Sequence, residues 1–148
     1  MNLKTPAYAS AEQAALRLIA RAEQNTAGLF RKLAARKHSP SVITDVLARL
    51  VETRLLDDER YARLWLKGRL AYSNKGPRFL LASLQARGIE RETAKAALNE
   101  TLGADLEKNL IRRVLARKKL DMNEETTRRL LRYEGFTADI IAELREEG

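Results

Sequence analysis

One short pattern occurs three times along the chain, at intervals of about fifty residues, and it constrains the fold more than any other feature. Each copy has a leucine near the end of one helix, a Gly or its substitute four residues later, then an apolar residue or His, and a polar residue before the next helix. Gly accepts the left-handed conformation that ends a helix, so each copy predicts a joint between two helices. The aligned segments are Leu33–Ile43, Leu84–Ala94 and Leu131–Ile141.

The positions around each joint support this interpretation. Lys37 stands where the other copies have Gly88 and Gly135, and the polar residues that follow, Ser39, Glu90 and Thr137, are candidates for helix N-caps. Ser39 is followed by Pro40, which is favoured at the first position of a helix. His38 occupies the place of Ile89 and Phe136. We therefore interpret His38 as a half-buried substitute for an apolar contact, not as a ligand or a pH switch.

Helix starts are also predicted away from the joints. Ser10 with Gln13 fits a capping box, and Asp57, Gly76-Pro77 and Asn123 each precede a helical pattern. Good helix formers dominate, and no alternating apolar and polar run is long enough for a strand, so the chain is predicted to be all-α. The predicted helices are 11–23, 27–36, 40–54, 58–73, 77–87, 91–102, 105–119, 124–134 and 138–147.

Three tandem three-helix repeats follow from the pattern, at residues 10–54, 55–102 and 103–148. Three short helices bury too little apolar surface to be stable alone, whereas stacked repeats share a core. The expected architecture is an elongated rod that can curve.

Composition argues against an enzyme. The chain has no Cys and one His, which excludes disulfides, thiolate chemistry and His-rich metal sites, and no phosphate-binding loop is present. Asp57 and Asp58 are adjacent, so their side chains would point about 100° apart on a helix and suit a cap and first turn better than acid–base catalysis. We predict no catalytic residue, no metal and no cofactor.

The compartment prediction is cytoplasmic. Apolar stretches are interrupted by charges well before the roughly 18 residues of a membrane helix, and residues 1–10 lack the apolar segment of a signal peptide. No membrane association is expected.

Charge predicts an anionic partner. Lys and Arg number 28 against 20 Asp and Glu, giving a net charge of +8. The excess lies in the first two repeats, whereas the third is balanced, with its basic residues concentrated in its first helix and its acidic residues towards the end. The candidate contact residues are Arg31, Lys32, Arg36, Lys37, Lys67, Arg69, Lys75, Arg78, Arg112, Arg113, Arg117 and Lys118, with Lys119 beside them.

A stripe of Tyr61, Leu64, Trp65 and Gly68 lies on one predicted helix face. Core packing, with Gly68 allowing a neighbouring helix to approach, is the preferred interpretation of this spacing. Stacking of nucleic-acid bases on the aromatic residues is the alternative. Sequence-specific reading by a helix after a joint is disfavoured, because residues 94–98 offer few side chains that could contact bases.

The central repeat resembles a known family. The stretch Leu55-Leu56-Asp57-Asp58-Glu59-Arg60-Tyr61-Ala62, then Lys75-Gly76-Pro77-Arg78, then Leu84-Gln85-Ala86-Arg87-Gly88-Ile89, is similar in order and spacing to the RecX family of recombination regulators. Ala15–Leu18 and Leu29–Leu33 look similar to that family's first repeat, and the resemblance covers about residues 11–144.

The resemblance implies a function that composition does not. RecX-like proteins bind the RecA recombinase along its filament on DNA and inhibit its ATPase, strand-exchange and co-protease activities, and some bind DNA. The expected partners are the RecA filament and non-specific single- or double-stranded DNA, contacted by a monomer through the candidate residues above. The alternative is a non-specific DNA-binding or architectural protein that acts without a recombinase.

Overall fold

The structure, a computed structural model, describes residues 5–103 and 105–148. Within these ranges the chain forms nine α-helices and no strand, so the all-α prediction is confirmed. Residues 1–4, part of the segment examined for a signal peptide, and Ala104, in the third predicted repeat, lie outside the described residues. The helices are α1 (Pro6–Arg21), α2 (Thr26–Ala35), α3 (Pro40–Glu52), α4 (Asp58–Leu70), α5 (Pro77–Ala86), α6 (Arg91–Leu102), α7 (Leu106–Lys118), α8 (Glu125–Tyr133) and α9 (Ala138–Glu147).

The start of α1 differs from the prediction. Thr5 is the N-cap, its hydroxyl accepts the Tyr8 N–H at 3.1 Å, and Pro6 follows in the first turn. The expected capping box at Ser10 is wrong, since Ser10 lies inside α1. The Thr5-Pro6 pair works as Ser39-Pro40 does, and it extends the helix so that Tyr8 joins the buried face.

The chain divides into two compact units. Unit 1 comprises the chain up to Tyr61 together with residues 87–89, and unit 2 comprises residues 62–86 and 90–148. Helices α1–α3 belong to unit 1 and α5–α9 to unit 2, while α4 begins in the first and continues in the second. Each predicted repeat segment holds three helices, apart from the early start of α1, and the repeat boundaries stay a prediction.

Unit 1 is organised around α3, which packs against α1 and α2. Ile43, Val46, Leu47 and Leu50 form one buried stripe on α3 at helical spacing. Full burial of such a side chain contributes about 1.5–3 kcal/mol to folding, so this stripe contributes substantially to the stability of the unit. The buried core of unit 1 consists of Tyr8, Ala11, Ala15, Leu18, Leu29, Leu33, Ile43, Val46, Leu47, Leu50 and Leu56.

Unit 2 contains a chain of neighbouring helices. Helix α5 packs against α6, α6 against α7, and α9 against both α7 and α8. Leu80 and Leu84 of α5, Ile111 of α7 and Ile141 of α9 are almost fully buried. The start of α9 is fixed by Glu107 of α7, whose carboxylate accepts the Thr137 N–H at 3.0 Å and the Thr137 hydroxyl at 2.7 Å.

All three joints have the predicted left-handed residue. The φ angles of Lys37, Gly88 and Gly135 are 71°, 97° and 95°. After this residue, His38 N–H donates to the Leu33 carbonyl and Phe136 N–H to the Leu131 carbonyl, which closes the helix end in the same way at two equivalent positions. His38 is half-buried, as predicted.

The predicted caps are only partly correct. The Ser39 hydroxyl accepts the Val42 N–H at 3.4 Å, as expected. Glu90 and Thr137 occupy N-cap positions without a side-chain capping bond. Asn123 is not the start of α8, which follows Glu124; the Asn123 N–H instead donates to the Asp121 carboxylate in the preceding turn.

Candidate interaction surface

The Leu-Asp-Asp segment makes structural contacts within unit 1. The Asp57 carboxylate accepts the Arg60 N–H at 3.0 Å and so caps α4, as predicted. The Asp58 carboxylate accepts the N–H and the hydroxyl of Thr26, at 2.8 and 3.0 Å, in the first turn of α2. Each carboxylate therefore satisfies donors at a helix start, where an anion is favoured.

The stripe predicted for the core of the central repeat faces the wrong way. Leu64 is 50% exposed, and a Cβ added to Gly68 would meet nothing within 4 Å, so no helix of the described residues makes the predicted close approach there. The buried face of α4 is instead Ala62, Leu66 and Leu70. Both stripes have helical spacing, and the smaller, purely aliphatic one was buried, which leaves Trp65 on the half-exposed side.

All of the predicted cationic contact residues are exposed. In unit 1 they lie on α2 and just after its end. Lys32 Nζ is hydrogen-bonded to the Gln24 side chain at 2.8 Å, whereas Arg31, Arg36 and Lys37 make no side-chain hydrogen bond or ion pair within the described residues. Positive charge at a helix C-terminus is favoured by the helix dipole, so these cations combine stabilisation of α2 with availability to an anion.

Two of the predicted cations in unit 2 hold a loop. Arg113 donates to the Leu70 carbonyl at 3.0 Å, at the end of α4. Arg117 donates to the Ala71 carbonyl at 3.0 Å, to the Asn74 side chain at 2.8 Å, and to the Ser73 carbonyl. The guanidinium groups satisfy carbonyls that end α4 and order the α4–α5 loop, so the structure gives these two residues a positioning role.

A groove of about 500 Å³ runs beside this loop, and we call it the α4–α5 groove. Two cations in it lie over aromatic rings: the Arg69 guanidinium is 5.0 Å from the centre of the Trp65 ring, and the Lys75 ammonium is 5.2 Å from that of Phe79. Both distances allow cation–π attraction. The groove is lined by Trp65, Arg69, Tyr72, Ser73, Asn74, Lys75, Phe79, Leu80, Ser83 and Glu134.

The far wall of the groove is the turn between α8 and α9. Glu134 forms an ion pair with Lys75 at 2.7 Å, and its carbonyl accepts the Gly76 N–H at 2.7 Å. The two backbones approach so closely that a Cβ on Gly76 would lie 2.6 Å from the Gly135 carbonyl oxygen. The Lys-Gly-Pro-Arg turn thus needs Gly for contact with this second turn.

The remaining predicted cations differ in their contacts. Arg112 is paired with Glu147 at 3.0 Å across α7 and α9. Lys67, Arg78 and Lys118 are exposed and make no side-chain hydrogen bond or ion pair within the described residues. Among the predicted contact residues of the central repeat, Lys67 and Arg78 are therefore the ones most available to a partner.

Tyr72 and Glu134 were missed from the sequence. Tyr72 is 86% exposed just after the end of α4, and Glu134 is far along the chain from Lys75 and Gly76, which it contacts. The signal for Tyr72 was present, because an aromatic residue in the polar stretch 71–76 has no core to enter. No local pattern marks Glu134.

Neither a metal site nor a membrane-spanning helix is present in the described residues. In residues 5–103 and 105–148 there is no group of three or more His, Asp or Glu placed to hold a metal ion. The same part of the chain has no helix with the length and hydropathy needed to cross a membrane.

Fold and surface together define a class: an all-helical protein of short helices joined at left-handed turns, with exposed cations and a cation–aromatic groove. Residues 57–98 match the family model described as the second three-helix domain of RecX. A solved structure, the crystal structure of RecX from Lactobacillus salivarius, covers 95% of this chain and 96% of its own with a TM-score of 0.78 at 22% identity, which shows the shared fold.

Curated relatives extend the match along the chain. The regulatory protein RecX of Thermobifida fusca is 35% identical over 95% of this chain and 80% of its own length, and that of Pseudomonas fluorescens is 31% identical over 97% and 95%. The RecX of Mycobacterium sp. strain JLS is 38% identical over 72% of this chain, and the match spans only 60% of that relative's length. This chain belongs to the RecX family of regulatory proteins.

Proposed function

We propose that this chain regulates the RecA recombinase by binding its filament on DNA and modulating ATP hydrolysis, strand exchange and co-protease activity. Membership of the RecX family is the observation that carries the proposal. In this proposal the chain acts as a monomer, through contacts that are steric and electrostatic, without chemistry of its own.

The available cations support an anionic partner. Arg31, Arg36 and Lys37 of unit 1, and Lys67 and Arg78 of unit 2, are exposed and are not neutralised within the described residues. Cations of this kind can displace counterions from phosphates, which contributes favourably to binding at low salt. The same residues favour the second candidate, a non-specific DNA-binding protein that needs no recombinase.

Measurement of RecA ATPase activity separates the two candidates. Filaments are assembled on single-stranded DNA, this protein is added below the RecA concentration, and bare DNA is then titrated in. A filament binder still inhibits, because its target is the filament. Inhibition that disappears in proportion to the added bare DNA would overturn the filament proposal and leave the plain DNA binder.

The contact surface can be tested with charge reversals of equal size. Lys67→Glu with Arg78→Glu should weaken inhibition of the filament ATPase at least severalfold. The matched control is Arg129→Glu with Arg145→Glu, two cations that are also exposed and lie outside the predicted site. Lys75 is a poor choice, because a carboxylate there would face Glu134. Equal losses in both double variants would mean that net charge alone matters.

A further inference from the structure

We propose that the α4–α5 groove binds an unpaired base of single-stranded nucleic acid, with the Tyr72 ring as the stacking surface; this inference rests on the proposed contact with DNA. The groove volume of about 500 Å³ lies within the roughly 300–1,000 Å³ of ligand pockets. It is also open to solvent along the loop that carries Tyr72.

The aromatic rings of the groove are not equivalent. Trp65 lies under the Arg69 guanidinium and Phe79 under the Lys75 ammonium. Tyr72 has no cation over its ring within the described residues, and 86% of its surface is exposed. A base can therefore stack on the Tyr72 ring without breaking a cation–aromatic contact, whereas a base on Trp65 or Phe79 would first have to displace a cation.

The cations are positioned to hold the phosphates on either side of that base. Arg69 is on the last turn of α4 and Lys75 is next to the start of α5, so the two flank the loop that bears Tyr72. Their contacts with Trp65 and Phe79 limit their movement before any ligand arrives. Arg117 holds the loop between them through its bonds to Ala71 and Asn74. This combination of a stacking ring and a basic track is how single strands are bound without sequence preference.

Other anions fit the groove less well. In duplex DNA the bases are stacked on one another, so the Tyr72 ring would have no face to cover. An acidic peptide could pair with Arg69 and Lys75, but it would leave the ring exposed. Only a strand with an unpaired base uses both features, because its phosphates contact the cations and its base covers the Tyr72 ring.

Glu134 regulates the site in this proposal. Its carboxylate is 2.7 Å from Lys75 Nζ, and its side chain is only 14% exposed, so it occupies the position that a phosphate would take on Lys75. A bound strand must compete with this internal anion. Removing the charge of Glu134 should therefore tighten binding of any single strand, with or without bases.

The test uses fluorescence anisotropy of the full chain with a fluorescein-labelled oligothymidylate and with an abasic oligonucleotide of the same length. Tyr72→Ala should weaken oligothymidylate binding about tenfold, the effect expected of one base–aromatic stack, and leave abasic binding unchanged. Tyr72→Phe should bind like the natural chain. Glu134→Gln should tighten binding of both oligonucleotides. Because Tyr72 is so exposed, its replacement should not alter the thermal unfolding midpoint.

Several results would overturn the inference. One is an unchanged affinity of Tyr72→Ala for oligothymidylate, and another is an equal loss of its affinity for the abasic strand. A tenfold loss of its affinity for a polyglutamate peptide would indicate an acidic protein partner. RecA ATPase inhibition by the natural chain is measured in parallel. If the natural chain inhibits the ATPase while Tyr72→Ala binds the oligonucleotides unchanged, the groove inference alone fails. If the natural chain binds neither oligonucleotide, the proposed contact with DNA fails as well.

Discussion

At the residue scale, the two glycines Gly76 and Gly68 of the central repeat differ in the space around their Cα atoms. A Cβ on Gly76 would be 2.6 Å from a backbone oxygen of Gly135, which cannot move aside cheaply, whereas Gly68 faces open space on α4. Gly76→Ala should therefore destabilise the protein by about 2 kcal/mol through overpacking. Gly68→Ala should stabilise it by about 0.5–1 kcal/mol, because Ala favours a helix interior. Urea unfolding checks both, and a neutral Gly76→Ala would contradict the close approach.

At the element scale, the position of α9 depends on one carboxylate of α7. Glu107 accepts two hydrogen bonds from Thr137, and Glu107→Ala would leave a backbone N–H and a hydroxyl without that acceptor. The expected loss is about 1–3 kcal/mol in chemical unfolding. Glu146→Ala is the control, since Glu146 is exposed on α9 and should change stability by about 0.5 kcal/mol or less. Equal effects of the two variants would show that only the charge of this region matters.

The contact of α7 with α9 should also depend on pH. The hydrogen bond from Lys108 lowers the pKa of the Glu147 carboxyl below its ordinary value of 4.5, and Arg112 adds to this. A carboxyl with a lowered pKa in the folded state contributes stability above its unfolded pKa and loses it as the pH falls through the folded one. The thermal midpoint should therefore drop between about pH 5 and pH 3, and less so in Glu147→Gln.

At high pH the same ion pair has the opposite pH dependence, because stability is then lost as the pH rises. Hydrogen bonds from Lys108 to Glu147 and Glu143 raise the pKa of the Lys108 ammonium above 10.5, so its contribution is present below that value and lost as the pH rises above it. Glu146→Gln is the control for both limits and should follow the natural chain. If the thermal midpoint of Glu147→Gln fell in acid as much as that of the natural chain, the stabilising role assigned to the Glu147 carboxylate would be contradicted.

The whole molecule carries a charge of +8, and its binding should depend on salt. The logarithm of affinity for single-stranded DNA should fall linearly with the logarithm of salt concentration, and loss of one phosphate contact should flatten the slope by about 0.7. Lys67→Ala should show this change, whereas Arg112→Ala should show less, because Arg112 is already paired with Glu147. An affinity that is flat between about 50 and 200 mM salt would mean that the cations are not the contact.

Local physics explains why so much of the secondary structure could be predicted. Caps and left-handed residues act within a few positions, so Ser39, Asp57, Gly88 and Gly135 marked helix ends correctly. The same locality explains an error: Ser10 with Gln13 has the local pattern of a capping box, but the helix begins at Pro6, and the longer helix buries Tyr8.

Burial and charge pairing were decided by the tertiary structure. Two stripes on α4 both have helical spacing, and only the tertiary packing buried Leu66 and left Leu64 exposed. Arg117 and Lys67 are both basic residues on predicted helices, and no local pattern separates them. Arg117 nevertheless contacts a loop residue that is 46 positions away in the chain. The sequence by itself determined the helices, their joints, the family and the excess of positive charge, since these depend on near neighbours and on totals. Which cations support the fold, and which aromatic ring stays open, depends on contacts between distant residues that no local pattern specifies.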